Sequence, residues 1–126
     1  MDVFNVTIPK QYEIGLPILQ LLRDKRYHHI DKIRKHLEKY FELTDEEIFH
    51  QKSSGGEGLF HNRIRWANFY LKKAGLVESP FKTGKTKITD LGLELLDEEP
   101  EILNRAFLMR YPGFVNYQNS LKRKKI

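Results

Sequence analysis

Cysteine is absent from the 126 residues, so the chain has no disulfide framework, no thiolate metal site and no cysteine nucleophile. That fits a reducing compartment, and a cytoplasmic location is the expectation. Long apolar runs are lacking too. None approaches the roughly 20 residues needed to cross a bilayer, and the opening MDVFNVTIP does not place a basic region ahead of an apolar one, so neither membrane insertion nor secretion is expected. The spacings of common catalytic motifs are also missing. Gly55, Gly56 and Gly58 are followed by no Lys-Ser or Lys-Thr pair, which removes the phosphate-binding loop. His28, His29, His36, His50 and His61 show no HExxH-type spacing, and adjacent His28 and His29 point to opposite sides of an extended segment, so no metal is expected. No Asp or Glu is followed two positions on by the lysine common in metal-dependent nuclease motifs. The sequence therefore reads as carrying no catalytic residues and no cofactor.

What is present is positive charge in particular places. The formal net charge is +5, yet Lys122, Arg123, Lys124 and Lys125 account for most of that excess, and acid is concentrated at Asp45 to Glu47 and Asp97 to Glu101. Any other positive field must be local. It lies in NRIRWANFYLKKAGLV, Asn62 to Val77. At about 100° of turn per residue, Phe60, Ile64, Ala67, Leu71 and Ala74 share one helical face, with Trp66 and Tyr70 on its flank. Beside that face stand His61, Arg65, Asn68 and Lys72, a row that no apolar side chain interrupts. Gly75 follows Lys72 and Lys73 where a left-handed cap would stop the helix, and the two lysines suit its negative end.

Around this helix the periodicity predicts a first helix from about Lys10 to Asp24, in which Pro17 implies a kink or a start nearby. Tyr27 to His29 reads as a very short strand, and Ile30, Ile33, Leu37 and Phe41 mark a second helix favoured by Asp31. Thr44 with Glu47 forms a capping-box pattern for a short acidic helix. Gln51 to Gly58, QKSSGGEG, reads as a flexible connection. Leu76 to Ser79 and Thr86 to Ile88 form a hairpin turning at Thr83 and Gly84, Thr89 caps a helix over Asp90 to Leu96, and Pro100 opens another through about Met109 that Pro112 and Gly113 break. This order predicts a mainly α protein with a small β-hairpin: a winged helix-turn-helix with additional C-terminal helices. One domain over residues 1–119 is expected, with 120–126 a basic tail or the start of a linker.

The expected partner is double-stranded DNA. Lys72, Lys73 and the wing residues Lys82, Thr83, Lys85 and Lys87 are assigned to the backbone, where neutralising phosphates releases counterions. Arg65 can contact guanine bidentately and Asn68 or Asn62 adenine, so these are the candidate base readers in the major groove; His61 suits either task. Arg63 lies near the apolar arc, where pairing with a glutamate or packing its stem on the core is at least as good a reading, and it ranks below Arg65. Leu103, Phe107, Leu108 and Phe114 suit either a homodimer interface or the monomer's own core. Two alternatives remain open: a stand-alone winged-helix transcription regulator, dimeric on a palindromic site, and a winged helix serving only protein interaction.

Ile8-Pro9, Asn62-Arg63 with Trp66-Ala67, the run Tyr70 to Leu76 and Ile88 to Gly92 together resemble the N-terminal domain of Mrr-type restriction endonucleases. Pro100-Glu101 and Leu108 to Pro112 with Phe114 look like that domain's closing segment, so the resemblance extends from about Ile8 to Tyr117. The Asn-Arg-x-x-Trp-Ala block joined to the distal Pro-x-Phe segment is its more specific part. The resemblance implies a winged-helix DNA-binding module that, in Mrr proteins, is joined to a metal-dependent nuclease domain and associated with restriction of modified foreign DNA. It thus implies a nuclease domain in the same or another chain as partner and places modified DNA among the candidate targets. No aromatic cage for a modified base is identifiable in the sequence.

Overall fold

The computed structural model describes residues 8–51 and 55–123. Helix α1 spans Gln11–Leu21 and tightens into a 3-10 turn at Leu22–Asp24, which Lys25 ends at φ 65°. Its first turn is anchored by Glu13, whose carboxylate accepts the Lys10 N–H at 2.9 Å. Pro17 sits buried inside this helix and does not start it. A two-residue strand, β1 (His28–His29), leads into α2 (Ile30–Tyr40), where the His29 ring accepts the Asp31 N–H at 3.1 Å. Helix α3 (Asp45–Phe49) opens on a reciprocal cap: Thr44 Oγ1 accepts the Glu47 N–H at 3.2 Å, and the Glu47 carboxylate accepts the Thr44 N–H at 2.8 Å. Each satisfies a donor that a helix leaves over at its first turn.

Helix α4 (Leu59–Lys73) is the longest element. It stops at Gly75, whose φ of 82° only a residue without a Cβ adopts readily. The Gly75 N–H returns to Lys72 O at 3.0 Å and the Leu76 N–H to Leu71 O at 2.9 Å, the paired bonds of a Schellman closure. The chain then runs out as β2 (Val77–Glu78) and back as β3 (Lys85–Ile88), pairing Val77 with Ile88 and Glu78 with Lys87. On its other edge β3 pairs with β1, His28 opposite Thr86 and His29 opposite Lys85, so the sheet order is β1-β3-β2, all antiparallel.

Thr89 joins the wing to the fifth helix. Its hydroxyl donates to Gly75 O at 2.7 Å and accepts the Gly92 N–H at 3.1 Å, starting α5 (Asp90–Asp97) while holding the stop of α4. Gly92 lies so close to Leu76 that an added Cβ would stand 2.4 Å from the Leu76 carbonyl oxygen. Helices α6 (Arg105–Leu108) and α7 (Pro112–Arg123) complete the described chain. Seven helices and a small three-stranded sheet among the described residues make a mainly α, winged-helix fold.

The core is built on α4. Phe60, Ile64, Ala67 and Leu71 are buried from one face of it, against Ile14 and Ile18 of α1, Ile33 and Leu37 of α2, and Leu95 of α5. Each such aliphatic or aromatic side chain contributes about 1.5–3 kcal/mol on burial. The remaining flank of α4 is covered by α7: Tyr70 and Phe114 rings meet edge-on at 5.2 Å, and Phe69 and Tyr117 at 5.3 Å. Leu103, Leu108 and Phe114 are buried within this same core and Phe107 packs against it. They belong to this chain's own core.

Three expectations for the C-terminal part need correction. Pro100 does not open a helix; α6 starts at Arg105, where the Asn104 side chain accepts the Phe107 N–H at 2.9 Å, while Glu99, at φ 51°, turns the chain away from helix before Pro100. Pro112 does more than break a helix, because it occupies the first position of α7, where its missing N–H leaves no bond unmade. Ser120 to Arg123, expected to begin the tail, form the last turn of α7, with Ser120 Oγ donating to Tyr117 O at 2.7 Å. Lys124 and Lys125, and residues 52–54 of the Gln51–Gly58 connection, lie outside the described residues.

Candidate nucleic-acid interface

The two arginines of α4 behave differently because two residues, about 200° of helical turn, separate their directions. Arg63 points along the core edge and donates to Ile8 O at 3.0 Å and Pro9 O at 3.1 Å, tying the chain ahead of α1 to the helix. That use of the guanidinium is structural. Arg65 projects outward, more than half exposed. Its NH1 donates to both oxygens of Glu57, at 2.9 and 3.1 Å, and Asn62 Nδ2 donates to the same carboxylate at 2.9 Å. Glu57 stands just ahead of α4 in the connection that Gln51 and Gly58 close by a bridge.

Four of the expected residues converge between α4 and the wing. Arg65, Asn68, Lys72 and Lys82, with Phe69, Ser79, Phe81 and Gly84, line an open cleft of roughly 300 Å³. Asn68 Nδ2 reaches Ser79 Oγ at 3.4 Å, but its Oδ1 is buried without a hydrogen-bond partner. The cleft is lined from both the helix and the wing. Its rim carries three cations, and a polyanion is the complement of that field.

The wing is a six-residue connection, 79 to 84, held by its own side chains. Ser79 Oγ donates to Lys85 O at 2.8 Å; Thr83 Oγ1 donates to Pro80 O at 2.8 Å and accepts the Lys85 N–H at 3.2 Å. Thr83 thus shapes the turn that presents Lys82 and Lys85, both exposed. At the tip Phe81 is 82% exposed with Lys82 Nζ 5.4 Å from its ring centre.

Of the other expected residues, Asn62 is held on Glu57, Thr83 and Lys85 belong to the wing, and three more stand apart from the cleft. His61 lines a different hollow with Asp31, Glu38 and Phe49, beside the Arg34–Glu38 ion pair, and its Nδ1 is buried without a partner. Lys73 turns toward α7, with Nζ 5.2 Å from the Phe69 ring and 5.6 Å from that of Tyr117. Burial, and secondarily Tyr70, raise the Tyr117 phenol above its ordinary value, so it stays neutral beside that ammonium. Lys87 pairs across the strands with Glu78 at 3.2 Å and lies 5.1 Å from the centre of the Tyr27 ring.

Glu57 and Phe81 are the site residues that the sequence did not bring forward. Nothing in the sequence ties a loop glutamate to a side chain eight positions on, whereas Phe81 beside Pro80 at a hairpin tip is visible as an apolar residue where polar ones are usual. Among the described residues no group of three His, Asp or Glu side chains is placed to hold a metal ion, and no helix is long and apolar enough to cross a membrane.

A family model described as the Mrr N-terminal domain matches residues 12–98, from the first turn of α1 to the end of α5. No curated protein and no solved structure matches the chain.

Proposed function

This chain belongs to the Mrr N-terminal domain family, and from that premise we propose that it is the DNA-targeting module of an Mrr-type restriction system. Double-stranded DNA is the ligand. Helix α4 enters the major groove with Arg65, Asn68 and Asn62 toward base edges, while Lys72, Lys82 and Lys85 contact phosphates on either side. Lys73, Lys87 and His61 hold the periphery, the first two as weaker phosphate contacts. Cleavage belongs to a nuclease domain of the same or another chain, and this domain supplies no catalytic group.

The observation that carries the reading is the cleft between α4 and the wing, where Arg65, Lys72 and Lys82 converge around Asn68. A solvated helix face would scatter its cations. Here a second element brings its own cation to the same opening, which is the geometry a sugar-phosphate strand lying between helix and hairpin requires. On the sheet side Lys87 is paired with Glu78 and lies outside this opening.

Fluorescence anisotropy with short labelled duplexes, unmodified and base-methylated, tests the reading. Binding should weaken linearly in log affinity against log salt, with a slope set by the number of phosphates engaged. Duplex binding that is undetectable, or indifferent to salt, overturns it.

A further inference from the structure

The tip of the wing is built against the preferences of its own turn. The Thr83 N–H donates to Pro80 O at 3.2 Å, closing a four-residue turn whose two central positions are Phe81 and Lys82. Lys82 stands at φ 65°, where such a turn favours glycine. Phe81 stands where polar residues are usual, and at 82% exposure it adds little to this chain's own core. The tip is nevertheless braced. Thr83 Oγ1 also donates to Pro80 O, the Ile30 N–H donates to Gly84 O at 2.8 Å, and a Cβ at Gly84 would stand 2.7 Å from His29 Nε2, so β1 and the start of α2 support the turn. An apolar ring is thus held out on a supported turn, with Lys82 Nζ 5.4 Å from its centre.

We propose that Phe81 is a wedge that enters the minor groove, parts one base step and kinks the duplex; this rests on the DNA-binding reading above. With α4 in the major groove, the cleft between helix and wing takes a sugar-phosphate strand, so a tip on the wing side of that strand meets the neighbouring minor groove. Phe81 lines this same cleft with Arg65, Asn68 and Lys72, which sets it beside the strand they engage. A phenyl ring offers a phosphate no donor. Its face suits bases, and apolar wedges of this kind open a step and bend the duplex by about 20–90°. Lys82, next to the ring, meets the phosphates that flank the opened step. Unstacking is hardest in stiff A-tracts and easiest at pyrimidine–purine steps. The ring therefore reads deformability at a position the protein does not hydrogen-bond, while Arg65 and Asn68 read base edges.

The test uses the full chain and a short duplex enriched from a random-sequence pool, carrying donor and acceptor dyes at its two ends. Binding of the parent protein should shorten the end-to-end distance read by energy transfer. Phe81→Ala should leave that distance near its value in the free duplex and bind about tenfold more weakly, the order of one lost base–aromatic contact. Its log-log salt slope should match the parent's, because no charge has been removed. Phe81→Leu keeps an apolar wedge and should retain the bend and most of the affinity. Enrichment with the parent should place a pyrimidine–purine step to one side of the most specified positions, and enrichment with F81A should lose it. If F81A melts well below the parent, Phe81→Gln, which keeps length at the tip and removes the apolar ring, is the second variant and should also leave the duplex unbent. Equal affinity and equal end-to-end distance for the parent and the ring-lacking variants overturn the proposal and leave the ring to a contact with another protein, with the DNA reading intact. A salt slope reduced by about one in F81A also overturns it, since the ring then only positions Lys82. No salt-dependent duplex binding by any of these proteins overturns the DNA reading itself.

Discussion

Helix α4 and the wing carry the same kinds of side chain but hold them differently. On α4 four polar side chains are engaged inside the protein: Arg65 and Asn62 on Glu57, Asn68 on Ser79, Arg63 on the carbonyls of Ile8 and Pro9. On the wing the backbone is fixed by Ser79 and Thr83 while Lys82 and Lys85 extend into solvent. Side chains held in one geometry lose little freedom on binding and reject mismatched partners, which suits discrimination. Loose cations can follow a phosphate wherever it lies, which suits affinity. Where a charge sits on the surface thus matters less than whether its partner is already supplied.

The strongest way to break the comparison is to disconnect the two regions. Gly92→Ala would press a methyl against the Leu76 carbonyl where α4, the wing and α5 meet. A loss of about 3 kcal/mol is expected from such overpacking, read as a lowered midpoint in urea, with helix and wing signals falling together. Arg65→Ala comes next. On the duplex enriched from a random pool it should weaken binding about tenfold or more and relax the base preference, as loss of a bidentate contact does. Arg63→Ala sharpens the contrast from the other side: removal of its two carbonyl contacts should cost about 1–2 kcal/mol of stability, with duplex affinity of the folded protein changed little. Lys85→Ala should weaken all duplexes by a similar small factor and reduce the salt slope by about one. Should Arg65→Ala and Lys85→Ala give the same uniform loss, helix and wing have no division of labour.

The smallest effect concerns pH. The Arg26 N–H, donating to Asp24 at 2.9 Å, and then His28, at 2.8 Å, hold the Asp24 carboxyl below its ordinary value of 3.8. A depressed folded-state value means the stabilisation is complete above pH 3.8 and is lost as pH falls through the lowered value. Because His28 belongs to β1, amide exchange in β1 and β3 should accelerate in that window before exchange in α4 does. Simultaneous acceleration in both would show that the wing side has no independent weakness.

Much of the frame could be read from local signals, because those signals act within a few residues. Thr44 and Glu47 meet across one helical turn, the Gly75 and Leu76 N–H groups end α4 through bonds to Lys72 and Leu71, and Thr89 caps α5 as its residue type predicts. Local rules erred where two of them competed. Pro100 satisfies the preference of a helix start, but Asn104 supplies a side-chain acceptor that Pro100 does not, and α6 begins at the latter. For the candidate site, periodicity placed Arg65, Asn68 and Lys72 on one side of α4. It was blind to what faced them. Glu57 lies in a glycine-rich connection with no periodic constraint, and the turn of Lys73 toward Phe69 and Tyr117 depends on α7, more than forty positions later in the chain. Distance along the chain, more than chemistry, set the limit.

The Thr89 hydroxyl and the bare Gly92 backbone sit together at the C-terminal end of α4, whereas Glu57, Asn62 and Arg65 gather at its N-terminal half. The helix is therefore fastened at one end and lettered at the other. On the DNA-targeting reading proposed above, exchanging letters among positions 57, 62 and 65 changes target preference while the Thr89 cap and the close approach of Gly92 stay in place. Under that reading, evolvability of recognition is a consequence of where a threonine and a glycine were placed.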